Sequence, residues 1–285
     1  MRLDPNYLSN LAGAVDQSNS SIATLTGELS SGLSVSSLQD NPSAVAQSTL
    51  LNSAITADDT YVQTASSVQS RMQVADSTLG EVVTQLTSAI STAVQGNDGT
   101  LNASNLSSIA QKLSGIRDQV LSLANTSYQG QYLFSGSQGS VQPFTLDTST
   151  TPATTTYHGD TDVQSIQTPS GQTIQTNLAG SAVFGGASGA FTALNQLIAD
   201  YSSGASSATL TADTSALTTA LGPVSNQRSI LDNALSTVES TSTYAQTQAA
   251  QLTVQQSGLV SADMATVATQ MSSTETQRQA LVSTV

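Results

Sequence analysis

No cysteine occurs in the 285 residues, so neither a disulfide framework nor a thiolate metal site can form, and the redox compartment stays open. Tryptophan is absent, aromatic residues make up 4% and charged residues 9% of the chain. Ordinary globular chains carry about 25% charged residues. Cations are scarcer than anions: five arginines and Lys112 stand against 19 acids, for a net charge of −13. Nucleic-acid affinity depends on lysine and arginine displacing counterions, so no nucleic-acid partner is expected. No membrane partner is expected either, because attraction to an anionic surface is lost with the cations. No apolar run approaches the roughly 18 residues of a bilayer-spanning helix. Met1-Arg2-Leu3-Asp4-Pro5-Asn6 lacks the apolar stretch of a cleaved secretion signal, so export would need a machine that leaves this end intact.

Hydroxyls and amides take the place of charge. Serine (47), threonine (39) and glutamine (28) supply two-fifths of the chain. The length is ample for one large domain or two to three small ones. Through this polar background runs an apolar 3-4-3-4 spacing, the seam of long helices packed on other long helices. Leu8, Leu11, Val15, Ile22, Leu25 and Leu29 hold the seam of a first helix, broken only at Ser18 and ended by Gly32. A loop leads to Asp40-Asn41-Pro42, where Asp40 or Asn41 is placed to cap a second helix and Pro42 suits its first turn. That helix is expected over about residues 43–94, with Ala65, Val68, Met72, Ala75, Leu79, Val82, Leu86, Ala89 and Ala93 keeping the heptad. At about 1.5 Å per residue it would make a rod of about 75 Å, too long to hide in a compact globule. Gly96-Asn97-Asp98-Gly99 reads as a turn. Beyond it a third helix, capped at Ser104, carries Leu106, Ile109, Leu113, Ile116, Val120 and Leu123 and returns antiparallel to the second.

From about Tyr128 the pattern changes. Residues 141–190 gather proline, threonine and glycine between short alternating runs, the mark of a small β insert, with Ser170-Gly171-Gln172 turning a hairpin between Ile166 and Ile174. Helix returns at Phe191 through Leu194, Leu197, Ile198 and Tyr201, breaks at Ser202-Ser203-Gly204, and resumes from about Ser215, kinked or restarted by Pro223. Val224 to Val285 reads as long helix, with Val260, Met264, Val267, Met271, Leu281 and Val285 on one face; it has no C-terminal cap, as a truncated or unusual end would. The predicted fold is mainly α: a long antiparallel helical rod (41–140 and 191–254), terminal helices (1–40 and 255–285) and a small inserted β domain (141–190). The terminal stripes have no partner in their own neighbourhood and must pair with each other or with other copies.

Reactive constellations are missing. His158, the single histidine, lies in Tyr157-His158-Gly159-Asp160 with no nucleophile motif and no second metal ligand, which favours a turn-forming role. No phosphate-cradling glycine motif is present. Asp58-Asp59 falls on a solvated helix face, and Asp147, Asp160 and Asp162 lack the ligand spacing of a calcium loop. Asn-x-Ser triplets at Asn102, Asn105 and Asn125 matter only where the source glycosylates. No catalytic residue, cofactor or metal is expected.

Leu29-Ser30-Ser31-Gly32 followed by Asp40-Asn41-Pro42-Ser43-Ala44 resembles the loop between terminal helix and rod in the bacterial flagellins. Ile116-Arg117-Asp118-Gln119-Val120-Leu121-Ser122-Leu123-Ala124-Asn125-Thr126, with Gln131-Tyr132-Leu133-Phe134-Ser135-Gly136, is similar to the branch of that family that joins hook to filament. So are Pro143-Phe144, Tyr157-x-Gly159-Asp160, and Gly180 with Val183-Phe184, while Ser257 to Ala280, with Asp263-Met264-Ala265, looks like the family's C-terminal helix. One departure is Leu33-Ser34-Val35-Ser36, which stands where the family usually carries basic residues.

The resemblance implies a structural, non-enzymatic subunit, exported unfolded by a type III apparatus with the help of a chaperone and located outside the cell in the flagellum. It implies terminal helices that are disordered in the monomer and form a coiled coil on assembly, and a β insert that faces outward. The implied partners are further copies of the chain in a ring, the neighbouring hook-associated protein, and flagellin or a second junction protein. The implied assembly residues are Leu8, Leu11, Val15, Ile22, Leu25, Leu29, Val267, Met271 and Leu281. A filament flagellin is the alternative within the family, and a secreted coiled-coil adhesin the alternative outside it.

Overall fold

The computed structural model describes residues 5–97, 101–186 and 189–283, with side chains described from residue 9 onward. Its elements are α1 (Pro5–Ser31), α2 (Pro42–Gly96), α3 (Ala103–Ala124), β1 (Ser127–Tyr128), β2 (Gln131–Tyr132), β3 (Phe144–Asp147), β4 (Thr154–Tyr157), β5 (Ser165–Gln167), β6 (Thr173–Gln175), α4 (Gly180–Phe184), α5 (Ala190–Ser203), α6 (Ser207–Val260) and α7 (Met264–Ser283). The fold is mainly α, with three two-stranded antiparallel sheets. The chain forms two compact units: one combines the residues up to Asp59 with those from Gln246 onward, and the other spans Thr60–Ala245. Among the described residues no helix is long and apolar enough to cross a membrane.

Threonine is a poor helix former, because its hydroxyl competes for backbone groups and its branched Cβ is stiff. Here the competition is turned inward. Thr49 Oγ1 donates to Val45 O (2.8 Å), Thr78 to Val74 O (2.8 Å), Thr87 to Val83 O (2.7 Å) and Thr214 to Leu210 O (2.7 Å), each reaching back one turn along its own helix. A hydroxyl bonded this way needs no other partner, so long helices can be built with few charges.

The Thr60–Ala245 unit has one continuous core. Ala65, Met72, Leu79, Val82, Leu86, Ala89 and Ala93 of α2 are buried, as the heptad predicts, and Val68 is half-buried against them. α2 and α6 run antiparallel here: Tyr61 bonds Thr241, and Arg228 Nε donates to Asp76 Oδ1 at 2.7 Å. α6 extends unbroken over Ser207–Val260 and passes through Pro223, so it starts eight residues before the expected Ser215 and neither stops nor restarts at the proline. On α3 the buried line is Ala110, Leu113, Arg117, Val120 and Ala124, while Leu106, Ile109, Ile116 and Leu123 are only partly covered. The first-turn cap is Asn102 rather than Ser104: Asn102 Oδ1 accepts from the Asn105 amide at 2.9 Å. Of the expected turn at residues 96–99, Asp98 and Gly99 lie outside the described residues.

Strand structure begins at Ser127, ahead of the residue 141 expected from sequence. The β1–β2 hairpin turns through Gln129 (φ 51°) and Gly130 (φ 78°), the paired positive values of a two-residue turn that suits the twist of its strands. The predicted β5–β6 hairpin is present with Ile166 opposite Ile174, and Gly171 (φ 88°) takes the left-handed position of its turn. The four phenylalanines of the chain share one cluster. Phe144 on β3 meets Phe184 on α4 and Phe191 on α5, both at 5.2 Å between ring centres, and Phe134 stands edge-on to Phe184 at 5.7 Å. Such pairs contribute about 0.5–1.5 kcal/mol beyond the burial itself, and they bind the hairpins into the same core as the helices.

Candidate assembly surface

The unit that joins the two ends of the chain is built from α1, α7 and the segments of α2 and α6 nearest them. α1 begins with Pro5 in its first turn, where a missing N–H costs nothing, and ends where Gly32 (φ 73°) returns its amide to Glu28 O at 2.8 Å. The chain then meets the end of α6. Leu33 forms an antiparallel bridge with Ser261, the Ser34 amide donates to Val260 O (2.8 Å), and the Ala262 amide donates to Gly32 O (2.9 Å). From this clasp α1 and α7 run antiparallel. Opposite positions meet at Ser18, whose hydroxyl donates to Thr274 O at 3.3 Å.

The expected continuous helix from Val224 to Val285 is therefore interrupted at 261–263. Asp263 caps the new helix: its carboxylate accepts from the Ala265 and Thr266 amides and from the Thr266 hydroxyl (3.0, 3.3 and 2.9 Å). These bonds hold the exposed carboxyl below its usual range, led by the Thr266 hydroxyl. At the start of α2, Asn41 Oδ1 accepts from the Ala44 amide (3.1 Å), so Asn41 is the cap. Asp40 instead folds the preceding loop, accepting from the Ser36 and Ser37 amides, which lower its pKa, the Ser36 amide most.

Along the α1–α7 seam the predicted positions differ in cover. Leu11 and Val267 are buried; Val15, Ile22, Leu25, Met271 and Leu281 are half-buried; Leu29 stays 38% exposed. Leu8 lies on α1, with its side chain outside the described residues. A groove of about 410 Å³ opens beside Leu25, lined by Ser21, Thr24, Gln270, Ser273 and Thr274. Ser18, which reads in the sequence as a break in the stripe, is buried in the seam and supplies its cross-helix hydrogen bond. Only its heptad position hinted at this, because a polar residue at a seam position fixes register at some cost in stability. On α2 and α6 of the same unit, Leu50 and Val254 are both 72% exposed, and Gln256 Nε2 donates to Ser48 O at 3.2 Å.

The motifs behind the resemblance fall at structural joints. Tyr157 donates its hydroxyl proton to Asp160 O (2.8 Å) and Phe134 O (3.0 Å) and accepts from the Gly180 amide (3.2 Å). Gly180 is required at this crossing, since a Cβ would sit 2.6 Å from Phe134 O. Asn125 clamps Phe144 from both sides, accepting from its amide and donating to its carbonyl, each at 2.9 Å. The exposed His158 bonds Thr145 across the β3–β4 hairpin at 2.7 Å. Asp147 accepts from the Ser149 amide at 2.8 Å, and Asp160 is held by Ser137. Among the described residues no three acidic or histidine groups come together as a metal cluster.

Residues 6–139 match the family profile of the bacterial flagellin N-terminal helical region. The chain resembles the bacterial flagellins, and within them hook-associated protein 3. It is 27% identical over 179 residues to flagellar hook-associated protein 3 of Salmonella typhimurium, across 62% of this chain and 54% of that protein. The chain spans about half the length of the curated relatives it matches. Among solved structures, the fold is similar to flagellar hook-associated protein 3 of Legionella pneumophila (TM-score 0.66, 14% identity, 74% of this chain and 98% of that one). It is likewise similar to FlgL of Bacillus cereus (TM-score 0.58, 21% identity, 73% and 99%).

Proposed function

We propose that this chain is a structural, non-enzymatic subunit of the bacterial flagellum that joins hook to filament. The observation that carries the reading is the incompletely covered α1–α7 seam. Two terminal helices pair antiparallel, yet Leu29 stays 38% exposed and five of the eight positions with described side chains are only partly buried. An apolar stripe that one chain cannot cover is suited to further copies or neighbouring subunits, and contacts of this open kind generate tubes and filaments. Leu8, Leu11, Val15, Ile22, Leu25, Leu29, Val267, Met271 and Leu281 form the assembly surface in this reading. In the same proposal the helical rod, residues 44–125 and about 191–250, forms the wall of the assembled tube and the β insert, residues 141–190, faces outward. The similarity to hook-associated protein 3 supports the junction over the filament.

Type III export with an intact N-terminus, an export chaperone, an extracellular position, and contacts with the adjacent hook-associated protein and flagellin all belong to the same proposal. The absence of cysteine suits threading through a narrow channel, because no disulfide can lock the chain. Immunogold electron microscopy with antibody against residues 141–190 tests it. Label confined to a band between hook and filament is expected. Label along the whole filament would mean a flagellin, and label on the cell surface alone an adhesin.

A further inference from the structure

Arg71 projects from α2 into a cleft of about 440 Å³ walled by the β1–β2 and β5–β6 hairpins. Its Nη2 donates to Gln164 Oε1 (3.1 Å), Thr176 O (3.3 Å) and Thr176 Oγ1 (3.4 Å), all neutral acceptors. Nε and Nη1 donate to none of the described residues. The ion pairs among the described residues are Arg117–Asp118 and Arg228–Asp76, so the Arg71 guanidinium is partly buried with no carboxylate beside it. In a chain of net charge −13 this is the reverse of the general balance. Burial lowers the Arg71 pKa, the direction expected of a cation that has lost water without gaining a counter-charge.

The rest of the cleft is chemically specific. Gln131 and Gln164 offer amides that donate and accept, Ser67 and Ser165 offer hydroxyls, and Tyr128 adds an aromatic ring. Val68 and Ile166 provide a small apolar floor. The volume lies within the roughly 300–1,000 Å³ of small-molecule sites. The Nε and Nη1 protons that Arg71 has left over suit a charge-assisted hydrogen bond to a carboxylate. Paired amides and hydroxyls match vicinal hydroxyl groups, and the apolar floor matches the carbon face of a sugar ring. We propose that this cleft binds a small polyhydroxylated carboxylate of the hexuronate class, with Arg71 on the carboxylate and Gln131, Gln164 and Ser67 on the ring hydroxyls.

The test is titration calorimetry of the full chain with D-glucuronate, D-glucose and acetate. Glucuronate is expected to bind, with glucose and acetate each at least about tenfold weaker. Arg71→Gln is expected to abolish the preference for glucuronate over glucose. Ser67→Trp, on an exposed position of α2, is expected to block binding by filling the cleft while Arg71 remains, and it carries the test if Arg71→Gln fails to fold. Absence of glucuronate binding, acetate binding as tight as glucuronate, or binding that survives Ser67→Trp would each overturn the proposal.

Discussion

At the scale of single residues, two side chains decide more than their positions in the sequence suggest. The Tyr157 hydroxyl gathers Phe134, Asp160 and Gly180 at the point where three loops cross. Tyr157→Phe keeps the ring, which lies 5.0 Å from Phe144, but removes the hydrogen bond to Asp160 O, while the Gly180 amide still donates to Phe134 O at 2.8 Å. The loss is about 1–3 kcal/mol, read as a drop of several degrees in the melting temperature with the circular dichroism spectrum unchanged. An unchanged melting temperature would refute it. The second side chain is Asp213 on α6, whose carboxyl interacts with that of Asp200 on α5. Its pKa is pushed up to about 6, first by burial and then by the hydrogen bond and charge of Asp200 on α5. In the unfolded chain the same carboxyl titrates near its ordinary 3.8. The folded state therefore holds this proton more tightly, and its contribution to stability is complete below about 3.8 and lost as pH rises through about 6. Asp213→Asn removes that loss: the melting temperature of the variant, compared with wild type, is expected to gain steadily between pH 4 and pH 7. A difference that stays constant across this range would show that Asp213 does not titrate there. The comparison also cancels the opposite trend from Asp76, whose pKa the Arg228 hydrogen bond lowers.

At the scale of elements, the helices were legible and their ends only partly so. The α2 heptad predicted nearly every buried position between Ala65 and Ala93, because a repeat of 3.5 residues on a polar background has one physical reading. Asn41 and Pro42 were legible for the same reason: few residues can close a helix N-terminus. The break at 261–263 was hidden because Val260, Met264, Val267 and Met271 keep helical phase across it, so periodicity alone could not register a change of direction. Asp263 was the available signal, an N-cap residue followed by Thr266 at capping distance. Asp263→Ala removes the acceptor for two amides and one hydroxyl and is expected to destabilise α7 by about 1 kcal/mol. Hydrogen exchange should then rise first in Met264–Val267 and leave α3 untouched; uniform protection across α7 would count against the cap. The Arg71 cleft was illegible, since Ser67, Tyr128, Gln164 and Thr176 are distant in sequence and meet only through the hairpins. The early β1–β2 hairpin was missed because two-residue strands leave no alternation to detect.

At the scale of the whole molecule, the two ends of the chain and its middle section rest on different chemistry. Leu79, Leu86, Phe134, Phe184, Leu194 and Tyr201 close the core of the Thr60–Ala245 unit with almost no exposure. Among the described residues of the other unit few large apolar side chains are buried, Leu11 and Val267 among them, and Ser18 adds a polar contact to Thr274 across the seam. Burying one leucine stabilises by about 1.5–3 kcal/mol, so a seam with so few of them gains little from burial within one chain. Leu11→Asp places a charge at a buried point of α1, where an unpaired carboxylate must either take up a proton or expel the seam. Leu25→Asp does the same beside the open groove. Either variant is expected to abolish incorporation into flagella and motility in a complementation assay. The purified variants should keep the cooperative melting of the Thr60–Ala245 core and lose protection only in α1 and α7. Normal incorporation would remove the seam from the proposed assembly surface. Collapse of the whole chain would show instead that the core depends on the ends, a dependence that the complete burial of Leu79 and Tyr201 within their own unit argues against.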